Sequence, residues 1–258
     1  MCSVPQPGTL LALVMTEANR PILLPWDSSF FGFPIAKLSG VRLREADLPA
    51  IEKSCRLMGV KCLYFLADAS WPETLEAAYK GGFMFVDMRW DLELSVNEIG
   101  DGDSNPAGVR VAKEEEMSLF QEMARRLHSN TRFFKDARFS RERAAELYAE
   151  WLRLSFQGPK KTVLAVTTSS GRPAGYVACE SGESEGTGRI GLIGVDESAR
   201  GHGLGTTLIR AAIAWLYSKG ARRVRVATQA DNIAAIRLYI AAGFSPAGVG
   251  TWFHRWYV

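Results

Sequence analysis

Apolar residues recur at regular spacings in the first hundred positions of the chain. From Asp47 to Met58 the apolar side chains fall three or four positions apart, which predicts an amphipathic helix. The segment from Lys61 to Leu66 is a short apolar run, typical of a buried strand. Pro72 stands where the first turn of a helix tolerates proline, and Gly81-Gly82 end that helix. A long, partly alternating strand is expected from Phe83 to Leu94.

A second and more regular set of elements follows. A β-meander succeeded by β-α-β-α-β predicts an α/β or α+β protein, a sheet with helices packed on it. The predicted strands are Val109 to Ala112, Thr162 to Thr167, Ala174 to Cys179, Arg189 to Val195, Val224 to Thr228 and a last aromatic strand that runs to the C-terminus. The predicted helices are Glu114 to Leu127, one capped by Ser140, one that ends at Gly220, and Asn232 to Ala242.

A polar, turn-rich segment separates these two sets. Residues Asn97 to Pro106 are dense in Gly, Asp and Asn and poor in apolar residues, which favours a linker. A chain of 258 residues suits one large domain or two small ones. We therefore expect a small N-terminal α/β domain over residues 1–105 and a second domain over residues 106–258.

Composition excludes several classes of protein, among them nucleic-acid-binding and membrane-spanning proteins. Hydrophobic residues make up 47% and charged residues 23%, a globular balance, and a net charge of +3 is too small to predict nucleic-acid binding. The four cysteines form no CxxC pair and no Cys/His cluster, so neither disulfides nor a metal is expected. The apolar run from Thr9 to Met15 lacks preceding basic residues and is too short to cross a membrane. These patterns predict a cytoplasmic protein without a membrane partner.

The segment Arg200-Gly201-His202-Gly203-Leu204-Gly205-Thr206 joins a predicted strand to a helix. The first N–H groups of a helix lack intrahelical partners, and with the helix dipole they form an anion site that glycines let a pyrophosphate approach. The next strand ends in Gln229 rather than an acidic residue, which disfavours nicotinamide binding, and no lysine supplies a P-loop. A tight turn without a ligand explains this segment equally well.

Asn232 and Tyr239 are seven positions apart, so on a helix they share one face. Asn232 is also a good helix cap, Tyr239 also suits a core position, and Gly243 is placed to end the helix. A phenol with an ordinary pKa of about 10 can protonate a departing thiolate.

Two motifs resemble the signatures of the GNAT superfamily of acetyltransferases. Arg200-x-x-Gly203-x-Gly205 is similar to its acyl-CoA pyrophosphate loop, and Asn232-x-x-Ala235-x-x-x-Tyr239-x-x-x-Gly243-Phe244 is similar to its second signature. The resemblance covers about residues 108–258 and implies acetyl-CoA as co-substrate, with Tyr239 as the general acid. His202 lies at a position that the motif leaves free, so no catalytic role is assigned to it. The implied acetyl-CoA-binding residues are Leu192, Ile193, Gly194, Val195, Arg200, Gly201, His202, Gly203, Leu204, Gly205, Thr206, Asn232 and Tyr239.

Further segments resemble the dTDP-fucosamine acetyltransferase family. They are Leu24 to Gly32, Arg132-Phe133 with Asp136, and Leu147-Tyr148-x-x-Trp151. This resemblance implies an acceptor amine on a nucleotide-linked 4-amino-4,6-dideoxy sugar. Arg132, Phe133 and Phe134 are then expected near the acceptor, with Arg132 on a phosphate. Without the family, Trp26 to Gly32 suits a strand and turn with core aromatics, and Arg132 suits a solvated charge.

The general base is predicted from the residues alone. Asp87 and Asp91 are four positions apart on one predicted strand and therefore share a face. Asp87 is preferred because its apolar neighbours Phe85 and Val86 indicate a partly buried carboxylate with a raised pKa. As a plain strand residue that faces water, Asp87 would need no function.

Other functions fit the same motifs. Peptide or protein N-termini and small amines are alternative acceptors, and an acyl-CoA-binding sensor is a non-enzymatic alternative. The aromatic C-terminal strand could pair with a second subunit as a homodimer, although a sheet core explains it equally well.

Overall fold

A computed structural model describes residues 19–97, 108–168, 171–182 and 186–257. The apolar run from Thr9 to Met15, Cys2 and the predicted linker beyond Asn97 lie outside the described residues. Where the described chain overlaps the predicted elements, helices and strands occur in the predicted order.

The described residues form the following strands and α-helices. The strands are β1 (Pro21–Leu23), β2 (Ile35–Leu38), β3 (Cys62–Asp68), β4 (Met84–Ser95), β5 (Val109–Val111), β6 (Lys161–Thr167), β7 (Pro173–Ser181), β8 (Thr187–Val195), β9 (Arg223–Gln229) and β10 (Ser245–Trp256). The α-helices are α1 (Pro25–Phe31), α2 (Leu48–Leu57), α3 (Pro72–Lys80), α4 (Met117–Leu127), α5 (Arg132–Lys135), α6 (Arg141–Ser155), α7 (Leu204–Ser218) and α8 (Ile233–Ala241).

Local sequence signals account for several helix ends. The Ser140 side chain accepts a hydrogen bond from the Arg143 N–H at 3.2 Å, so Ser140 caps α6 as predicted. The Asn232 side chain does the same for α8, accepting from the Ala235 N–H at 3.2 Å. Gly243 follows α8 with a φ of 91°, a left-handed conformation that glycine adopts without strain.

The segment from Trp26 to Gly32 is helical, so the strand-and-turn interpretation is wrong. Pro25 occupies the first turn of α1, where its missing N–H costs nothing. Gly32 ends the helix at a φ of 82°, and its N–H bonds to the Ser28 carbonyl. Within this helix the Trp26 ring stacks on the Phe30 ring, with ring centroids 5.3 Å apart.

The chain divides into two compact units, of which the smaller comprises residues 1–85 and 253–258. Its described part pairs β1 antiparallel with β2 and β2 parallel with β3. The apolar faces of α2 and α3 pack on these strands; Ile51, Cys55, Phe65 and Phe253 are among the buried core residues.

The larger unit comprises residues 86–252 and contains a mixed, mostly antiparallel sheet flanked by helices. Its strand order is β4-β9-β8-β7-β6-β5, with the first part of β10 beside β4. Only β8 and β9 run parallel among these pairs for which the register is defined. The expected boundary at residue 105 differs from this division, because β4 pairs with β9 from Arg89 to Ser95 and so belongs with the larger unit.

The two faces of this larger sheet are covered by different helices. On one face, Leu92, Val177, Ile190 and Val226 form an apolar core with α7, as alternation along each strand requires. On the other face, Tyr176 is fully buried against Phe120 of α4, with ring centroids 5.8 Å apart. Helices α4 and α6 pack against each other and contact β7 or β8.

No helix among the described residues is long and apolar enough to cross a membrane.

Removing the α6 cap should lower stability. Ser140→Ala deletes the side-chain acceptor of the Arg143 N–H, and we expect the free energy of unfolding to fall by about 1 kcal/mol. Urea unfolding followed by circular dichroism measures this change. Ser140→Thr, which keeps a hydroxyl acceptor, is the control; an equal loss in both variants would show that the cap does not stabilise α6.

Candidate active site

Strands β8 and β9 separate halfway along their length. They pair in register from Thr187 opposite Arg223 to Ile190 opposite Val226, and no further. Strand β8 continues to pair with β7 as far as Val195. An opening therefore lies between β8 and β9 beyond Ile190, the separation that the resemblance implied for the acetyl-CoA arm.

A β-bulge at Gly191 marks the start of this opening. Leu192 pairs with Ala178 and Ile190 pairs with Cys179, so Gly191 is the extra residue. Because one residue is inserted, the alternation reverses: Ile190 faces the α7 core before the bulge, whereas Ile193 and Val195 do so after it. Gly194 consequently faces α4.

The glycine-rich turn leads directly into α7. Gly201 and Gly203 have φ values of 81° and 76°, which side chains rarely adopt. The Thr207 N–H makes the first bond of the helix, to the Gly203 carbonyl at 3.1 Å. The N–H groups of residues 204–206 precede that bond, so this helix end has the donors of an anion site.

One cleft of about 1050 Å³ brings most of the predicted site residues together. Its lining includes Asp87, Arg132, Phe133, Leu192, Ile193, Gly194, Val195, Arg200, Gly205, Asn232 and Tyr239. Phe134 and the loop residues Gly201, His202, Gly203, Leu204 and Thr206 are not among the lining residues. The His202 ring instead lies against its own loop, with Nδ1 2.9 Å from the Arg200 carbonyl.

Tyr239 occupies the border between the α7 core and the cleft. Its side chain is 3% exposed and its ring packs edge-on against Phe244 at 5.8 Å, so it is also a core aromatic. Burial raises the pKa of Tyr239 well above the ordinary phenol value. The hydroxyl is therefore protonated at neutral pH and can donate a proton.

Asp87 is buried at one wall of the cleft, with 4% exposure, so it does not face water. Burial raises the pKa of this carboxyl, and Lys135 opposes the rise. The Lys135 ammonium donates to Asp87 Oδ1 at 2.7 Å and to Asp231 Oδ2 at 2.8 Å. One lysine of α5 thus links β4 to the turn before α8.

Arg132 is held by aromatic rings rather than solvated. Its guanidinium carbon lies 4.0 Å from the centre of the Phe133 ring and 4.3 Å from that of Trp252. Such cation–π contacts stabilise the position of an arginine side chain. Arg132 thereby presents a fixed cation at the cleft.

Several lining residues were not predicted from the sequence. Trp252, His128 and Trp151 line the cleft, and the His128 ring stacks on Tyr148 with centroids 5.1 Å apart. His128 Nε2 lies 2.7 Å from the Tyr176 hydroxyl, and burial lowers the pKa of this imidazole to about 4, which keeps it neutral. Helical spacing indicated the aromatic face of α6, but no local signal indicated which residues of other elements face it.

The absence of a side chain at Gly194 allows β8 to lie close to this aromatic group. A Cβ atom there would lie 2.8 Å from Leu127 Cδ1 and 3.1 Å from the Tyr176 ring. Gly194→Ala should therefore displace β8 and lower the free energy of unfolding by about 1–3 kcal/mol, the usual cost of overpacking.

Calorimetric melting of Gly194→Ala measures this loss. Gly191→Ala is the matched control on the same strand, because a Cβ atom at Gly191 meets only the Ala178 carbonyl at 3.8 Å. Equal melting temperatures for Gly194→Ala and the unchanged protein would contradict the close packing.

Residues 122–244 match the acetyltransferase (GNAT) family. A dTDP-fucosamine acetyltransferase of Escherichia coli O6:H1 is 28% identical over 233 residues, which are 90% of this chain and 96% of that protein. The spore coat polysaccharide biosynthesis protein SpsD of Bacillus subtilis is 30% identical over 135 residues, 52% of this chain and 46% of that protein.

Solved structures share the fold. A GCN5-related N-acetyltransferase from Sphaerobacter thermophilus superposes with a TM-score of 0.63 at 17% identity, over 92% of this chain and 76% of that one. The predicted fold, with its helix-flanked mixed sheet, is confirmed by this likeness.

Proposed function

We propose that this chain, whose residues 122–244 match the acetyltransferase (GNAT) family, transfers an acetyl group from acetyl-CoA to a nucleotide-linked 4-amino-4,6-dideoxy sugar. One observation best supports acetyl-CoA as the donor. The separated strands β8 and β9 line a single cleft together with Arg200 and Tyr239. The sugar part is supported by similarity to a dTDP-fucosamine acetyltransferase over 90% of the chain.

The residues present suit acetyl-CoA. The N–H groups at the start of α7 and the Arg200 guanidinium would hold the pyrophosphate, because a helix N-terminus and a guanidinium both favour an anion. The opening beyond Ile190 gives an extended pantetheine arm a strand edge to lie along. Backbone N–H groups of Ile193 to Val195 would polarise the thioester carbonyl, as preorganised donors do in other acyl transfers.

Tyr239 supplies the proton that the leaving sulfur needs. Its hydroxyl is neutral because burial raises its pKa, and the same burial makes a thiolate more basic. An amine can attack the thioester directly, so no covalent enzyme intermediate is required.

In this proposal, Arg132 binds a phosphate of the nucleotide part of the acceptor. A guanidinium fixed between two rings loses little conformational freedom when it binds a phosphate bidentately. Phe133 and Phe134 were predicted beside it; Phe133 lines the cleft and Phe134 stays a prediction. Asp87, predicted as the base that accepts the amine proton, lines the cleft with its carboxylate bonded to Lys135.

The substrate is tested by CoA thiol release from acetyl-CoA with a panel of amines. We expect turnover with a dTDP-4-amino-4,6-dideoxy sugar and none with polyamines or N-terminal peptides. Turnover with peptides or polyamines alone would leave the acetyltransferase assignment in place and contradict the sugar. Binding of acetyl-CoA without thiol release for any amine would favour a sensor.

Tyr239→Phe should lower kcat by about 10²- to 10⁴-fold, the usual scale for one general acid. The KM for acetyl-CoA should change little, because the ring and its packing remain. Assays of CoA thiol release at varied acetyl-CoA concentration measure kcat and KM. Tyr79→Phe, an exposed tyrosine of the smaller unit, is the control; unchanged turnover in Tyr239→Phe would remove this hydroxyl from the mechanism.

Arg132→Ala should raise the KM for the nucleotide sugar roughly 10- to 150-fold, the worth of hydrogen bonds to a charged group. Arg132→Lys should recover only part of this, because an ammonium is a point charge without the planar fork. Arg56→Ala, in the smaller unit, is the control. An unchanged KM in Arg132→Ala would exclude phosphate binding by Arg132.

A further inference from the structure

We propose that Asp91, rather than Asp87, is the general base of the reaction, placed across the β8–β9 opening from Tyr239. This inference rests on the proposed acetyl transfer and names a further catalytic residue for it. It depends on strand register, on the alternation of side chains and on the hydrogen bonds of the two aspartates.

Register places Asp91 at the start of the opening. Ile190 and Val226 are the last paired residues of β8 and β9. The next residue of β9 is Ala227, and its partner on β4 is Asp91. Asp91 therefore lies level with the first positions at which β8 and β9 have separated, and it lines the cleft there.

Alternation places Asp91 and Tyr239 on opposite faces of the sheet. Leu92 points into the α7 core, and Tyr239 belongs to the same core. The neighbouring residue Asp91 must therefore point to the other face. A thioester held in the opening would be reached by Tyr239 from one face and by Asp91 from the other.

The segment that follows α8 lies beside the same part of β4. The Tyr239 ring packs against Phe244, and the next residue, Ser245, donates its hydroxyl to the Glu93 carbonyl at 3.3 Å. Asp87 lies four residues from Asp91, about 13 Å along the strand. It is also tied through Lys135 to Asp231, at the turn before α8.

The hydrogen bonds of Asp91 leave one oxygen available. Arg89 donates through Nε at 2.9 Å and Nη2 at 2.5 Å, and both bonds go to Oδ1. The side chain is 39% exposed, so a substrate can reach Oδ2. The charged groups that line the cleft from the neighbouring strands include Asp87, Arg89 and Glu93 of β4, Arg189 of β8 and Arg225 of β9. Strand β10 contributes Ala247, Gly248 and Trp252 to the lining.

The proton and electron movements balance with these two residues. As the amine nitrogen forms its bond to the carbonyl carbon, Asp91 Oδ2 takes a proton from that nitrogen. The carbon–sulfur bond then breaks with its electron pair on sulfur, and the sulfur takes the Tyr239 proton. Asp91 releases its proton to water and Tyr239 regains one from water, which restores the enzyme.

The test compares Asp91→Asn with Asp87→Asn in pH profiles of kcat, using the amine that the unchanged protein acetylates best. We expect Asp91→Asn to lower kcat about 10²- to 10⁴-fold, to leave the KM for acetyl-CoA unchanged, and to lose the acidic limb of the profile. Asp87→Asn should keep that limb and lower the melting temperature, because it breaks the Lys135 bridge. Asp47→Asn, another aspartate paired with an arginine but in the smaller unit, is the control.

A second variant covers the case in which Asp91→Asn folds poorly. Asp91→Ala with added formate should regain part of its turnover, since a small carboxylate can occupy the vacated space. Full activity and an unchanged acidic limb in Asp91→Asn, or loss of the limb in Asp87→Asn alone, would overturn the proposal. Acetylation of peptides but not of the sugar would contradict the proposed acceptor, whereas Asp91 would still be tested on that amine.

Discussion

The arrangement of the larger unit depends on one interruption of backbone pairing, between the two parallel strands β8 and β9. Parallel strands normally stay paired along their length, but the bulge at Gly191 shifts β8 by one residue and the pairing with β9 ends at Ile190. Beyond that point β8 remains paired with β7 only. The same bulge turns Ile193 and Val195 into the α7 core, which fixes the opening in the packed sheet rather than in a loop.

The parts of the proposed site collect around this opening from different elements. The start of α7 offers N–H groups at one end, α8 brings Tyr239 on the core side, and α5 brings Arg132 on the cleft. Helices α7 and α8 approach closely at Gly205, where a Cβ atom would lie 3.3 Å from Leu238 Cδ2. Aromatic rings lie against Arg132. The chemistry is therefore carried by rigid elements, as acyl transfer with preorganised donors requires.

Sequence patterns predicted the parts of this molecule that depend on near neighbours. The Ser140 and Asn232 caps, the turn into α7 and the strand order along the chain follow from local chemistry, and the structure has them. The helix α1 was missed because it is only seven residues long, and a short segment rich in aromatic residues suits a strand as well. Trp252 and the Lys135 bridge could not be predicted, because each depends on which distant strands lie together. Sequence alone could not choose between Asp87 and Asp91 as the base, for the same reason. Both side chains share a face of β4, and they differ only in their position relative to β9.

The Lys135 bridge has a consequence for how the two ligands influence each other. A single ammonium joins α5, which carries Arg132, to the turn that begins α8, which carries Tyr239. Under the proposed function, the acceptor and the acetyl donor would be held by elements that share this ion pair. Any effect of the acceptor on the affinity for the donor through this pair is, by thermodynamic reciprocity, matched by an equal effect of the donor on the affinity for the acceptor.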